Sequence, residues 1–154
     1  MIGCNPSTTD DYTDDETIRK LISMAKYKGY GGLYLGYLFA YQTKPHLMKI
    51  NKMKTKAAKK GFDYVIGPNN DFYLDDLANE ASEVVFAYGD VAVSGWGDEA
   101  KNNIAKEHVK KVFKMMKEKK GTVYAFDLTK ENNPKTPLGI KDLNNISWKE
   151  LTSV

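Results

Sequence analysis

Short apolar runs alternate with helical periods along this chain, and that alternation restricts the fold more than any other feature. Residues 1–4, 33–40, 83–89 and 122–128 read as buried strands, each ending in a glycine or polar turn. Between the first two, Ile18, Leu21, Ile22 and Ala25 recur at helical spacing, with Asp14 or Asp15 placed to cap the helix start. Leu74, Leu77, Ala78 and Ala81 form the apolar face of a second helix after the turn at Gly67 and Pro68. Ile104, His108, Val112 and Met116 stack at i,i+4 in a long helix from Glu99 to Lys120. A short helix is expected between Lys52 and Lys60, and another between Asp142 and Leu151. Alternation of this kind predicts βαβ units. The expected fold is a single α/β domain over residues 1–154. It is a three-layer α/β/α sandwich with a mainly parallel sheet of about four strands.

Such a sheet carries its ligands in the crevice beyond the carboxyl ends of the strands. Those ends bring Asn5, Ser7, Tyr41, Tyr88, Thr129 and Lys130 towards one edge. The first is the most polar: Asn5, Pro6, Ser7, Thr8, Thr9 and Asp10 supply carboxamide, hydroxyls and carboxylate within six residues. They suit a small polar ligand, or simply a turn that closes strand to helix. Asp10 and Asp11, with Asp14, Asp15 and Glu16, match no standard calcium loop and sit where a helix dipole welcomes acids, so no metal site is expected. His46 and His108 are the only histidines, and neither neighbours a serine- or cysteine-centred nucleophile motif. Phosphate-loop and dinucleotide-binding glycine motifs are missing, so no cofactor is expected.

Charge gives a second lead. The stretch that opens at Lys44 and closes at Lys60 carries seven lysines and no acid. It could track phosphates while Tyr41 and Phe62 stack bases, or be a solvated face. Of 23 Lys+Arg, only Arg19 is arginine, which argues against a reader of base edges. The single cysteine, Cys4, excludes an internal disulfide. The opening residues do not read as a signal peptide, and no apolar stretch approaches the length of a membrane span. A cytoplasmic protein is expected, in the host cytoplasm if it is viral, with self-association left open.

Several blocks then match a known pattern in order: residues 5–10, 15–19, 29–33, 38–41 and 66–71, Tyr88-Gly89, Leu128-Thr129-Lys130 and Pro137-Leu138. Together they resemble the bacterial and viral family catalogued as domain of unknown function 1643, and they add Asn70 to the candidates. More remotely, the layout is similar to the uracil-DNA glycosylase superfamily. There an Asn-Pro turn follows the first strand, an asparagine on the next strand reads the base, and a His-Pro-Ser-Pro-Leu-like segment follows the last strand. Asn5-Pro6 matches the first element. Tyr37 or a neighbour stands at the base-reading position, and Thr136, after Lys135, stands where the histidine would be.

The resemblance implies a pocket for a nucleotide or nucleobase-containing ligand that is held without turnover. Asn5, Ser7 and Thr8 would hydrogen-bond it. Tyr41, Tyr88 or Trp96 would stack on it, and Lys130 or Lys135 would neutralise phosphate. The alternatives are an N-glycosidic hydrolase using Asn5, Asp10 or Asp11, and a lysine-rich DNA-binding or protein-interaction module.

Overall fold

The computed structural model describes residues 1–6, 16–42, 49–142 and 145–154. In chain order they form β1 (Ile2–Gly3), α1 (Glu16–Tyr27), β2 (Gly36–Tyr37), α2 (Lys49–Lys60), α3 (Phe62–Ile66) and α4 (Asn70–Glu80). These are followed by β3 (Val84–Phe86), α5 (Glu99–Lys120), β4 (Val123–Ala125) and β5 (Lys149–Glu150). Single 3-10 turns stand at Asp90–Ala92 and Pro137–Gly139.

The strands assemble in the order β2-β1-β3-β4-β5. β1 pairs in parallel with both β2 and β3, and β3 pairs in parallel with β4. β5 runs antiparallel to β4, so the sheet is mixed: four mutually parallel strands with a fifth, antiparallel one at the edge. The helix expected between Asp142 and Leu151 is therefore corrected to an edge strand at Lys149–Glu150. The ladders are also shorter than the apolar runs. Of residues 33–40 only Gly36–Tyr37 is strand, although the Leu38 and Phe39 amides still bond the Gly3 and Cys4 carbonyls beyond it.

Alternate residues of each strand face opposite ways, and each side of the sheet carries its own apolar cluster. Ile2, Val84, Phe86, Val123 and Ala125 face a cluster built with Met53 and Ala57 of α2, Val65 of α3, Leu74 and Ala78 of α4, and Val109, Val112 and Met116 of α5. Val85, Ala87 and Phe126 face Leu21 and Met24 of α1, with Ile140. This division follows from topology. The chain moves from β1 to β2 on one side and then returns past β1 to β3. Right-handed crossovers in opposite directions must pack on opposite faces.

α5 has strong local punctuation: the Asp98 carboxylate accepts from the Lys101 amide, and Gly121 closes the far end. Ile104 does not join the buried stripe of His108, Val112 and Met116 but is 48% exposed. No helix among the described residues is long and apolar enough to cross a membrane.

Candidate functional site

Because β1 has β2 on one side and β3 on the other, the chain reverses its direction of winding between β1 and β3. Strand ends part at such a switch point and leave a crevice between the loops that follow them. Here the loops after β1 and β3 flank a cleft of about 220 Å³. Asn5 enters from β1, Tyr37 from β2, Tyr88 from β3, and Thr136 and Leu138 from the segment after β4. Thr17, Ile18 and Leu21 of α1 close it on the outer side. Four candidates that are far apart in sequence thus share one small cavity.

Two glycines make that approach geometrically feasible. A Cβ on Gly3 would lie 3.2 Å from two ring carbons of Tyr37, so the bare backbone lets the phenol lie over β1. Gly89 has φ +71, which L side chains rarely adopt, and a Cβ there would meet the Thr136 methyl at 3.0 Å. The Gly89 amide also donates to the Pro134 carbonyl at 2.8 Å, which fastens the loop after β3 to the segment after β4.

The polar groups differ in how far they are committed. Asn5 donates through Nδ2 to the Pro6 carbonyl at 3.1 Å and the Tyr41 carbonyl at 3.4 Å. Thr136 caps the Pro137–Gly139 turn, its carbonyl accepting from the Gly139 amide. Tyr88 is fully buried, and its hydroxyl has no hydrogen-bond partner among the described residues. Burial pushes its pKa up from 10.0, and the negative charge of Asp90 adds to the shift. The phenol is therefore a neutral donor throughout the physiological range.

Other candidates have structural assignments. Asn70 donates Nδ2 to the Tyr37 and Leu38 carbonyls at 2.8 and 3.1 Å, supporting the chain beyond β2 from behind. Trp96 is buried between Phe39 and Phe62, with ring centroids 4.9 Å away in each case, and its indole N–H donates to the Ala92 carbonyl. It stacks in the core, away from the cleft. Phe62 is committed to the same aromatic group and not to an open stacking surface. Thr129 donates to Asp90 at 2.6 Å, where Asn133 also donates, so the hydroxyl ties two loops together. Lys135 is paired with Asp127 at 2.6 Å, and Lys149 approaches the other oxygen; these contacts hold the carboxyl well below its usual range. Lys130 is exposed. Tyr41 is half-buried and does not line the cleft; its carbonyl accepts from Asn5. Ser7, Thr8, Asp10, Asp11 and His46 lie outside the described residues.

Two features were not read from the sequence. Ile18, read as part of a helix face, and Thr17, read only within the family-matching block, also wall the cleft; the i,i+4 period that marks a core face cannot distinguish it from a cavity wall. A larger opening of about 330 Å³ lies at the other edge of the sheet, among residues preceding β1, β2 and β3. Trp148 lines it, stacked on Tyr30 at 5.8 Å. Size favours that opening; convergence of strand carboxyl ends favours the cleft at Asn5.

His108 has a packing role. Its ring lies against Phe39, and Nε2 donates to the Leu38 carbonyl at 2.7 Å, which requires a proton on that nitrogen. Burial lowers its pKa below the ordinary 6.5, opposed by the bond to Leu38. The folded state thus keeps the ring neutral, while the unfolded chain takes up a proton near pH 6.5. This stabilisation is complete above 6.5 and is lost as pH falls below it. Urea midpoints should therefore drop between about pH 7 and pH 5, and His108→Gln, which keeps a donor but cannot titrate, should flatten that slope. Equal slopes in both proteins would remove His108 from the account.

No curated protein and no solved structure matches the chain. Residues 1–138 match the family model described as Protein of unknown function (DUF1643), and the chain belongs to that family.

Proposed function

We propose that this protein binds a nucleobase-containing ligand, with the base seated in the cleft at Asn5 and held without turnover. The observation that carries this reading is the meeting of Asn5, Tyr37, Tyr88 and Thr136 at the switch point between β1 and β3. A cleft of about 220 Å³ lies below the roughly 300–1,000 Å³ of sites that engulf a drug-sized ligand. It suits a planar base, with sugar and phosphate outside. The described walls offer a carboxamide, hydroxyls, phenols and alkyl groups, which hydrogen-bond and stack on a neutral ring. Every described wall residue lies within the stretch that matches the family, whereas Trp148 of the opposite opening lies beyond it. The apolar clusters on both faces fit a three-layer α/β/α sandwich of the kind found in the uracil-DNA glycosylase superfamily. Thr136 and Tyr37 stand where that resemblance would place an imidazole and a base-reading carboxamide, and this favours retention over glycosidic cleavage.

Calorimetry with free bases, nucleosides and nucleotides tests the reading. Saturable binding to at least one of them is expected, weakened about tenfold by Asn5→Ala, the cost of one well-placed hydrogen bond at about 1.4 kcal/mol. The same mixtures, separated by chromatography, should contain no newly released base. Release of base that Asn5→Ala abolishes would make the protein an N-glycosidic hydrolase. No binding across the panel would end the proposal.

A further inference from the structure

The lysines of α2 differ from most of those of α5 in one respect, Lys106, Lys117 and Lys120 being the α5 lysines without an ion pair among the described residues. On α5, Lys101, Lys110, Lys111, Lys114 and Lys119 each pair with a carboxylate. On α2, Lys52, Lys54, Lys56, Lys59 and Lys60 have no ion-pair partner among the described residues, and the helix contains no acid. Met53 and Ala57 anchor α2 to the core, which leaves Lys52, Lys59 and Lys60 exposed and Lys54 and Lys56 half-buried. Lys52, Lys56 and Lys60 follow at i,i+4, about 6 Å apart along the helix axis, close to the phosphate spacing of an extended strand.

The stripe ends at an aromatic pair. Lys60 Nζ stands 4.5 Å from the ring centroid of Tyr64, which is 44% exposed. Tyr64 lies 6.0 Å from the Tyr41 ring, and the Tyr41 carbonyl accepts from Asn5. We propose that α2 and the Tyr64–Tyr41 pair form a track for single-stranded nucleic acid, with lysines on the phosphates and Tyr64 stacking a base. Lysines along one helix with an exposed ring at the end suit an unpaired strand, whose bases are free to stack, better than a duplex. The single arginine agrees with backbone binding that does not read sequence. This inference rests on α2 and Tyr64 and stands independently of the cleft reading.

Fluorescence anisotropy with labelled oligothymidylate, over a series of salt concentrations, tests it. Wild type should bind with a steep salt dependence. The triple variant Lys52→Gln/Lys56→Gln/Lys60→Gln should lose at least about tenfold in affinity at low salt. Its log–log salt slope should fall by about 2, from three phosphate contacts at about 0.7 each. Lys106→Gln/Lys110→Gln/Lys114→Gln on α5 makes the same change in net charge and should leave binding within about twofold. Tyr64→Ala should weaken single-strand binding by about 5- to 150-fold. The proposal is overturned if wild type does not bind, if both triple variants lose affinity equally, if Tyr64→Ala has no effect, or if a duplex of equal length binds better than the single strand.

Discussion

Trp96→Ala is expected to destabilise the protein by about 3–5 kcal/mol, the range for deleting a large buried aromatic. Trp96 is 2% exposed and stands between Phe39 and Phe62, rings delivered by the chain beyond β2 and by α3. Its removal would open a cavity where these segments meet and would leave the Ala92 carbonyl without its indole donor. The loop from Gly89 to Asp98 would keep its tie to α5, because the bond to Asn102 at 2.8 Å comes from the backbone amide of residue 96. Urea denaturation should therefore show a large drop in midpoint, while any ligand affinity measured below the transition stays near wild type. Wild-type stability with lost binding would return Trp96 to the site and refute its place in the core.

Tyr88→Phe should do the reverse. The buried hydroxyl has no partner among the described residues, and an unsatisfied buried hydroxyl costs about 1–3 kcal/mol. Phenylalanine keeps the edge-on contact with Phe86, centroids 5.9 Å apart, and removes only the oxygen. Without ligand the variant should be more stable than wild type, by up to that amount. With ligand it should bind more weakly, because Tyr88 lines the cleft and the variant lacks a buried hydroxyl that the described residues leave without a partner. Gain of stability and loss of affinity in one substitution is the signature of a residue whose polar group is kept for a ligand. A variant less stable than wild type would mean that the hydroxyl is satisfied within the fold.

Much of the architecture was legible because its signals are local. α5 spans Glu99–Lys120 as expected, since Asp98 at its start and Gly121 beyond its end are chemical punctuation. Strands were legible as apolar runs but not as ladders: burial explains why Leu38 and Phe39 are hydrophobic, whether or not a neighbour pairs with them. β5 left no trace in the sequence, because both Lys149 and Glu150 are exposed and their pairing is decided by β4. The site divides along similar lines. Asn5 and Tyr88 were placed by topology, which the alternation of strands and helices dictates, whereas Thr136 came only from the family resemblance. Trp96 was misplaced because the rings that enclose it are remote in sequence, and an aromatic in a glycine-flanked loop reads equally well as a ligand platform. Lys135 looked available until Asp127, in a strand-end loop eight residues away, was found beside it.

The central claim is that a base enters at the carboxyl ends of the strands and not at the larger opening across the sheet. Titrating isotope-labelled protein with the tightest-binding nucleotide, and following the backbone amides by nuclear magnetic resonance, decides between the two edges. The account predicts saturating shifts at Gly3, Asn5, Ala87, Gly89 and Thr136, with Gly31, Gly32 and Glu83 unmoved. Shifts confined to Gly31, Gly32, Glu83 and the Trp148 indole would contradict it and assign binding to the opposite edge.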